Sequence, residues 1–151
     1  MSVTLKPVRI VVLVLLLMSG VAFAGEPDIN KRYSFSKALE LSKEHNRPIM
    51  IFIWSVYCNE CEKLKAEIFS DATLKSKLSE NIVVAWIDIL SKNNNEILKH
   101  YQARATPTVI FTDVASDGDY PQEFIRTHSS RKDVFTDVLD ETLALIEVSN
   151  K

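Results

Sequence analysis

The two cysteines of this chain, Cys58 and Cys61, are separated by Asn59 and Glu60. Two thiols at that spacing can do together what neither does alone. One attacks a disulfide as a thiolate and forms a mixed disulfide; the other attacks the first sulfur and releases the partner's thiol. On a helix, three-residue spacing puts both side chains on one face, within bonding reach. A structural staple is another use of such a pair, but closing so small a loop adds little stability. Zinc is a third use. Two cysteines supply half of the four ligands a closed zinc site takes, and His45, His100 and His128 fall singly in polar segments. Haem attachment needs a histidine directly after the second cysteine, and Glu62 stands there. No metal and no other cofactor is expected.

Neighbouring segments supply the setting. Ile49-Met50-Ile51-Phe52-Ile53 is an apolar run with the character of a buried strand, and it leads through Trp54 to the pair. A helical pattern leaves it from Asn59, with Leu64 and Ile68 inward. Cys58 therefore falls where a strand ends and a helix begins. The unpaired N–H groups and positive dipole end of that helix favour an anion, and the anion on offer is a thiolate, the reactive form of the thiol. Cys58 is read as the nucleophile. Cys61, one turn in and less exposed, is read as the resolving thiol. Glu60 and Glu62 are either solvated first-turn acids or proton-transfer groups for Cys61. A carboxylate beside Cys58 disfavours its thiolate.

Upstream, Lys6 and Arg9 precede an apolar core, Ile10 to Met18, and Ala22-Phe23-Ala24 offers a cleavage site. Residues 1–24 read as a secretory signal peptide; the apolar run is too short to span a bilayer. Residues 25–32 read as a flexible lead-in. What remains after residue 24 is 127 residues with 16 basic and 20 acidic side chains, a net charge of −4. Neither a basic patch for nucleic acid nor a basic amphipathic helix for a membrane surface is present in the sequence.

The pattern predicts a helix over 34–46 with Phe35, Ala38, Leu39 and Ser42 on one face. Ser70-Asp71 caps a further helix bearing Leu74 and Leu78. Ile82 to Ile89 is apolar and β-branched, a strand covered on both faces and hence expected to be central. A short helix follows at 96–101, then a strand at 108–112, an Asp117-Gly118-Asp119 turn and an antiparallel strand at 122–127. Ser130 to Asp133 reads as a capping box. The last helix runs to about Val148, with Val134, Phe135, Val138, Leu139, Thr142, Leu143 and Ile146 as its apolar stripe. This order gives an α/β domain: a mixed central sheet with helices on both faces.

These features resemble the thioredoxin superfamily. Besides the cysteine pair, the resemblance rests on Tyr57 just before Cys58, on Trp54 four residues before it, and on Ala105-Thr106-Pro107-Thr108 running into Val109-Ile110-Phe111. It extends from Tyr33 to Glu147 and implies a thioredoxin fold over residues 33–151. It also implies a cis Thr106-Pro107 bond packed against the pair, with the Thr106 backbone docking a substrate segment and Tyr57 lining the rim. Tyr57, Thr106 and Pro107 are thus the expected substrate-binding residues. The chain departs from the family in four places. Asn59-Glu60 stands for Gly-Pro, Phe52 for a buried Asp, an apolar residue near Val84 for a buried Lys, and the glycine before the last helix is missing around Thr127-His128. The stretch from Cys61 to Asp71 is similar to exported members of the superfamily. The function implied is a periplasmic thiol–disulfide oxidoreductase, acting as a monomer, that reduces exported proteins and is itself reduced by a membrane electron donor. A disulfide oxidase or isomerase, and a binding or chaperone module with a redox-switch disulfide, are the alternatives.

Overall fold

Pro48–Trp54 form strand β1, the axis of the molecule, with six of its seven residues fully buried. Unbroken burial follows from the sequence, since a strand apolar at every position needs cover on both faces. The computed structural model describes residues 25–116 and 120–149; the expected signal peptide, residues 1–24, and the expected turn at Asp117-Gly118-Asp119 lie outside the described residues. Helix α1 (Phe35–His45) precedes β1, its first turn capped by the Ser34 hydroxyl, which accepts from the Lys37 N–H, and its last by Asn46 in the left-handed region at φ 51°. Helices α2 (Asn59–Ser70) and α3 (Ala72–Asn81) follow, then strand β2 (Val83–Asp88), a 3-10 turn (Lys92–Asn94) and the short helix α4 (Asn95–His100). Strands β3 (Thr108–Val114) and β4 (Glu123–Thr127) and helix α5 (Lys132–Ser149) complete the chain.

The strand order is β2-β1-β3-β4. Strand β1 runs parallel to β2, with Ile51 opposite Ala85, and antiparallel to β3, with Ile51 opposite Ile110. Strand β4 runs antiparallel to β3. Alternation along β1 divides the core. Met50 and Phe52 pack with Leu64, Ile68, Leu78, Phe135 and Leu139 from α2, α3 and α5. Ile49, Ile51 and Ile53 pack on the other face with Phe35, Ala38 and Leu41 of α1. The Asp71 carboxylate caps α3 by accepting from the Thr73 and Leu74 N–H groups. The Lys132 ammonium that hydrogen-bonds it from the start of α5 holds its carboxyl below the usual carboxylate range.

Four expectations are corrected. Strand β2 is not central but stands at the sheet edge. It is apolar because two helical layers cover its faces, and burial of both faces says nothing of neighbours within the sheet. Its outer flank is partly closed by Tyr33, which bridges to Ala85 and whose carbonyl accepts the Trp86 N–H at 2.9 Å. The lead-in is docked rather than loose: Ile29 is buried in the α2–α3–α5 core, and Glu26 pairs with Arg47. Leu41, rather than Leu39, is the fully buried leucine of α1. The box before α5 is replaced by a different closure. Ser129 accepts the Arg131 N–H at 3.1 Å, and Asp133 pairs with the Arg131 guanidinium instead of turning back on Ser130.

Candidate active site

Cys58 is the N-cap of α2, in extended backbone at φ −94° and ψ 90°. Its Sγ accepts the Cys61 N–H at 3.1 Å, and its carbonyl accepts the Cys61 and Glu62 N–H groups at 3.1 and 3.3 Å. Sulfur thus occupies the place that a serine or aspartate oxygen takes at other helix starts. A charge on it would meet a backbone donor and the positive end of a 12-residue helix. Cys58 and Cys61 are joined, S–S 2.02 Å, with Cα atoms 5.2 Å apart. Cys61 is sealed at 1% exposure and Cys58 reaches solvent at 9%, so an incoming group meets Cys58.

Strand β1 ends at Trp54, and Ser55 starts the turn that delivers the pair, its carbonyl accepting the Cys58 N–H at 3.1 Å. Val56 and Tyr57 project from that turn at 65% and 85% exposure, so Tyr57 stands on the rim. Trp54 is half-buried against the core, and the Arg32 guanidinium lies 4.4 Å over its ring. The Thr106–Pro107 bond is cis. Thr108 pairs with Ile53 at the last rungs of β1, which places Thr106 and the buried Pro107 at the sheet end where the Cys58 turn leaves.

Beneath the disulfide the site is apolar. Phe52 packs edge-on against Trp86 with ring centroids 5.0 Å apart, and Val84 is buried in the same cluster as both cysteines. Among the described residues no Asp, Glu, Lys or Arg is fully buried. Glu60 and Glu62 are both exposed on the first turn of α2, and Glu62 pairs with Lys65. Two of the histidines lie elsewhere. His45 sits near Glu26, its Nδ1 3.8 Å from the carboxylate, and His100 stacks on Tyr120. Among the described residues no group of three or more His, Cys, Asp or Glu is placed to hold a metal ion.

His128 is the residue that sequence reasoning passed over. Its Nδ1 lies 2.8 Å from the Thr108 hydroxyl, next to Pro107. The signal available was positional: the glycine missing around Thr127-His128 marks the segment where β4 gives way to α5.

Comparison with known proteins agrees with this geometry. The family model of a thioredoxin-like domain matches residues 35–126. A segment of 76 residues, 49% of this chain, is 28% identical to the thiol:disulfide interchange protein DsbD of Actinobacillus pleuropneumoniae. The match spans only 13% of that protein's length. Among solved structures, a thioredoxin from Thermus thermophilus superposes with a TM-score of 0.66 at 26% identity, over 75% of this chain and 86% of its own. DsbH oxidoreductase superposes with a TM-score of 0.63 at 18% identity, over 87% and 99%, a likeness of fold.

Proposed function

The chain belongs to the thioredoxin superfamily of thiol–disulfide oxidoreductases, and from that premise we propose that it reduces disulfides in exported proteins. The observation that carries the reading is the Cys58 cap: the more exposed cysteine sits on the N-terminus of α2, and its sulfur accepts the Cys61 N–H. In the reduced chain the Cys58 thiolate attacks a client disulfide. A bond forms between Cys58 Sγ and one client sulfur, the client S–S bond breaks, and the second client sulfur leaves and takes up a proton. Cys61 then gives up its proton and attacks Cys58 Sγ. The Cys58–Cys61 bond forms, the mixed disulfide breaks, and the first client sulfur departs as a thiolate that is protonated in turn. Two electrons have passed from the chain to the client. With no buried carboxylate among the described residues to take it, the Cys61 proton passes to water or to Glu60, Glu62 being engaged by Lys65. Tyr57 and the Thr106-Pro107 backbone form the docking edge.

Export and direction are part of the proposal. Residues 1–24 have the composition of a signal peptide, which supports export and, with it, an electron donor in the membrane; the similarity to a thiol:disulfide interchange protein supports the exchange chemistry. Glu60 supports the reducing direction, since strong oxidants depend on a stabilised thiolate and an adjacent carboxylate works against one.

The reduction potential of the pair against glutathione tests this. A value near about −250 mV or below, where thioredoxin lies, is expected; one near about −120 mV, where strong oxidants lie, would make the chain a disulfide donor. Cys61→Ala separates turnover from switching. It is expected to accumulate mixed disulfides through Cys58 in periplasmic extract, and a chain that accumulates none is a binding module.

A further inference from the structure

We propose that His128 is a positioning residue for client docking, acting through Thr108 on the loop that carries the cis proline. The inference rests on the oxidoreductase reading above and adds to it a residue outside the cysteine motif. Thr108 is the first residue of β3 and is fully buried. Its hydroxyl has two neighbours, the Ala105 carbonyl oxygen at 2.7 Å and His128 Nδ1 at 2.8 Å. A hydroxyl carries one proton. The carbonyl can only accept, so that proton goes to Ala105, and Nδ1 must then be the donor to the hydroxyl oxygen. The alternative would leave two oxygens 2.7 Å apart with no hydrogen between them. Both contacts therefore hold only with a proton on Nδ1.

The result is a directed chain, His128 Nδ1–H to Thr108 Oγ1–H to the Ala105 carbonyl, that ties the residue just after β4 to the residue just before Thr106. The three-residue turn over Ala105, Thr106 and Pro107 is thus closed from below by Thr108 and braced from the side by His128. The register places the brace at the same level as the active-site turn. Val109 faces Thr127, so His128 follows opposite Thr108, and Thr108 faces Ile53 on β1. A client segment that pairs with the Thr106 backbone needs that backbone held in place before it arrives, because ordering it on arrival subtracts from affinity. Glycine, usual here in the superfamily, has no side chain to make such a brace.

Single-turnover oxidation of the reduced full chain tests the proposal. Insulin serves as a disulfide that can pair with the Thr106 backbone, and hydroxyethyl disulfide as one too small to do so. In His128→Ala the insulin concentration at half-maximal rate is expected to rise about fivefold, the size of one lost hydrogen bond, with a change of less than about twofold in the limiting rate. The effect on hydroxyethyl disulfide is expected to be several-fold smaller. His128→Asn, whose amide N–H can take the place of Nδ1–H, is expected to restore binding. Thr108→Val, which cuts the same chain from the other side, is expected to add little to His128→Ala in the double variant. Equal losses on both disulfides, no loss on insulin, or failure of Asn to rescue would each overturn the role. If the unaltered chain exchanges with neither disulfide, the oxidoreductase reading falls and this inference with it. If it exchanges with both and His128→Ala matches it, the inference alone falls.

Discussion

Cys58 has two roles at one atom: Sγ is both half of the disulfide and the acceptor that caps α2. Serine keeps the second role and loses the first, while alanine loses both. Cys58→Ser and Cys58→Ala therefore abolish exchange alike, and neither can form the disulfide, so their difference isolates the cap. Urea denaturation is expected to find Cys58→Ala about 1 kcal/mol less stable than Cys58→Ser; equal midpoints would mean that the sulfur is no cap. Residues of this kind were legible in the sequence because their meaning is local. Cys58 and Cys61 sit three apart in one helical turn, Tyr57 and Trp54 lie within four residues of them, and Thr106-Pro107 precedes a strand. His128 was not legible, because its partner lies 20 residues earlier across the β3–β4 register. A lone histidine in a polar segment carries no period from which that pairing could be read.

Helix α2 brings opposing fields to the pair. Its N-terminus favours a charged sulfur, while Glu60 and Glu62 in its first turn place negative charge beside it. Glu62 is compensated by Lys65, leaving Glu60 as the exposed acid that opposes the thiolate. Glu60→Gln removes that opposition, stabilises the reduced form and makes the couple more oxidising. Screened by solvent, the change is expected to be a rise on the order of 10 mV, read by equilibration with glutathione. A fall, or no change, would show that the carboxylate does not act on Cys58. Element existence was legible wherever the apolar pattern was strong, as in the periodic stripes of α1 and α5 and the unbroken run of β1. Element placement was less so. β2 has the composition of a central strand because α1 on one face and α2, α3 and α5 on the other exclude water from it, although only β1 pairs along its length. Helix starts were legible where one side chain decides them, as Asp71 does for α3. The start of α5 depends instead on a local side-chain pair, in which Asp133 engages the Arg131 guanidinium rather than Ser130.

At the scale of the whole molecule, the polar segment ahead of the first helix closes the fold. Ile29 is 3% exposed and joins the cluster that contains Phe52, Val84 and both cysteines. The Tyr33 hydroxyl accepts the Asp28 N–H at 3.0 Å, Glu26 pairs with Arg47, and Arg32 lies over the rings of Trp54 and Trp86. Nothing in Gly25 to Lys31 announces this. One isoleucine among polar residues has no period, and its burial depends on a pocket built by elements far along the chain. The docking makes residues 25–33 part of the same cooperative unit as the active-site core. Ile29→Ala should then cost what a buried isoleucine costs, about 2–4 kcal/mol, rather than the half kcal/mol or less of a surface change. It should also loosen the Arg32 contact over Trp54, the residue that ends β1. Thermal unfolding followed by tryptophan fluorescence reads both effects: a lowered midpoint, and a native-state emission shifted toward that of exposed indole. An unchanged midpoint would return the segment to the status of a loose lead-in and leave β2's outer flank covered by Tyr33 alone.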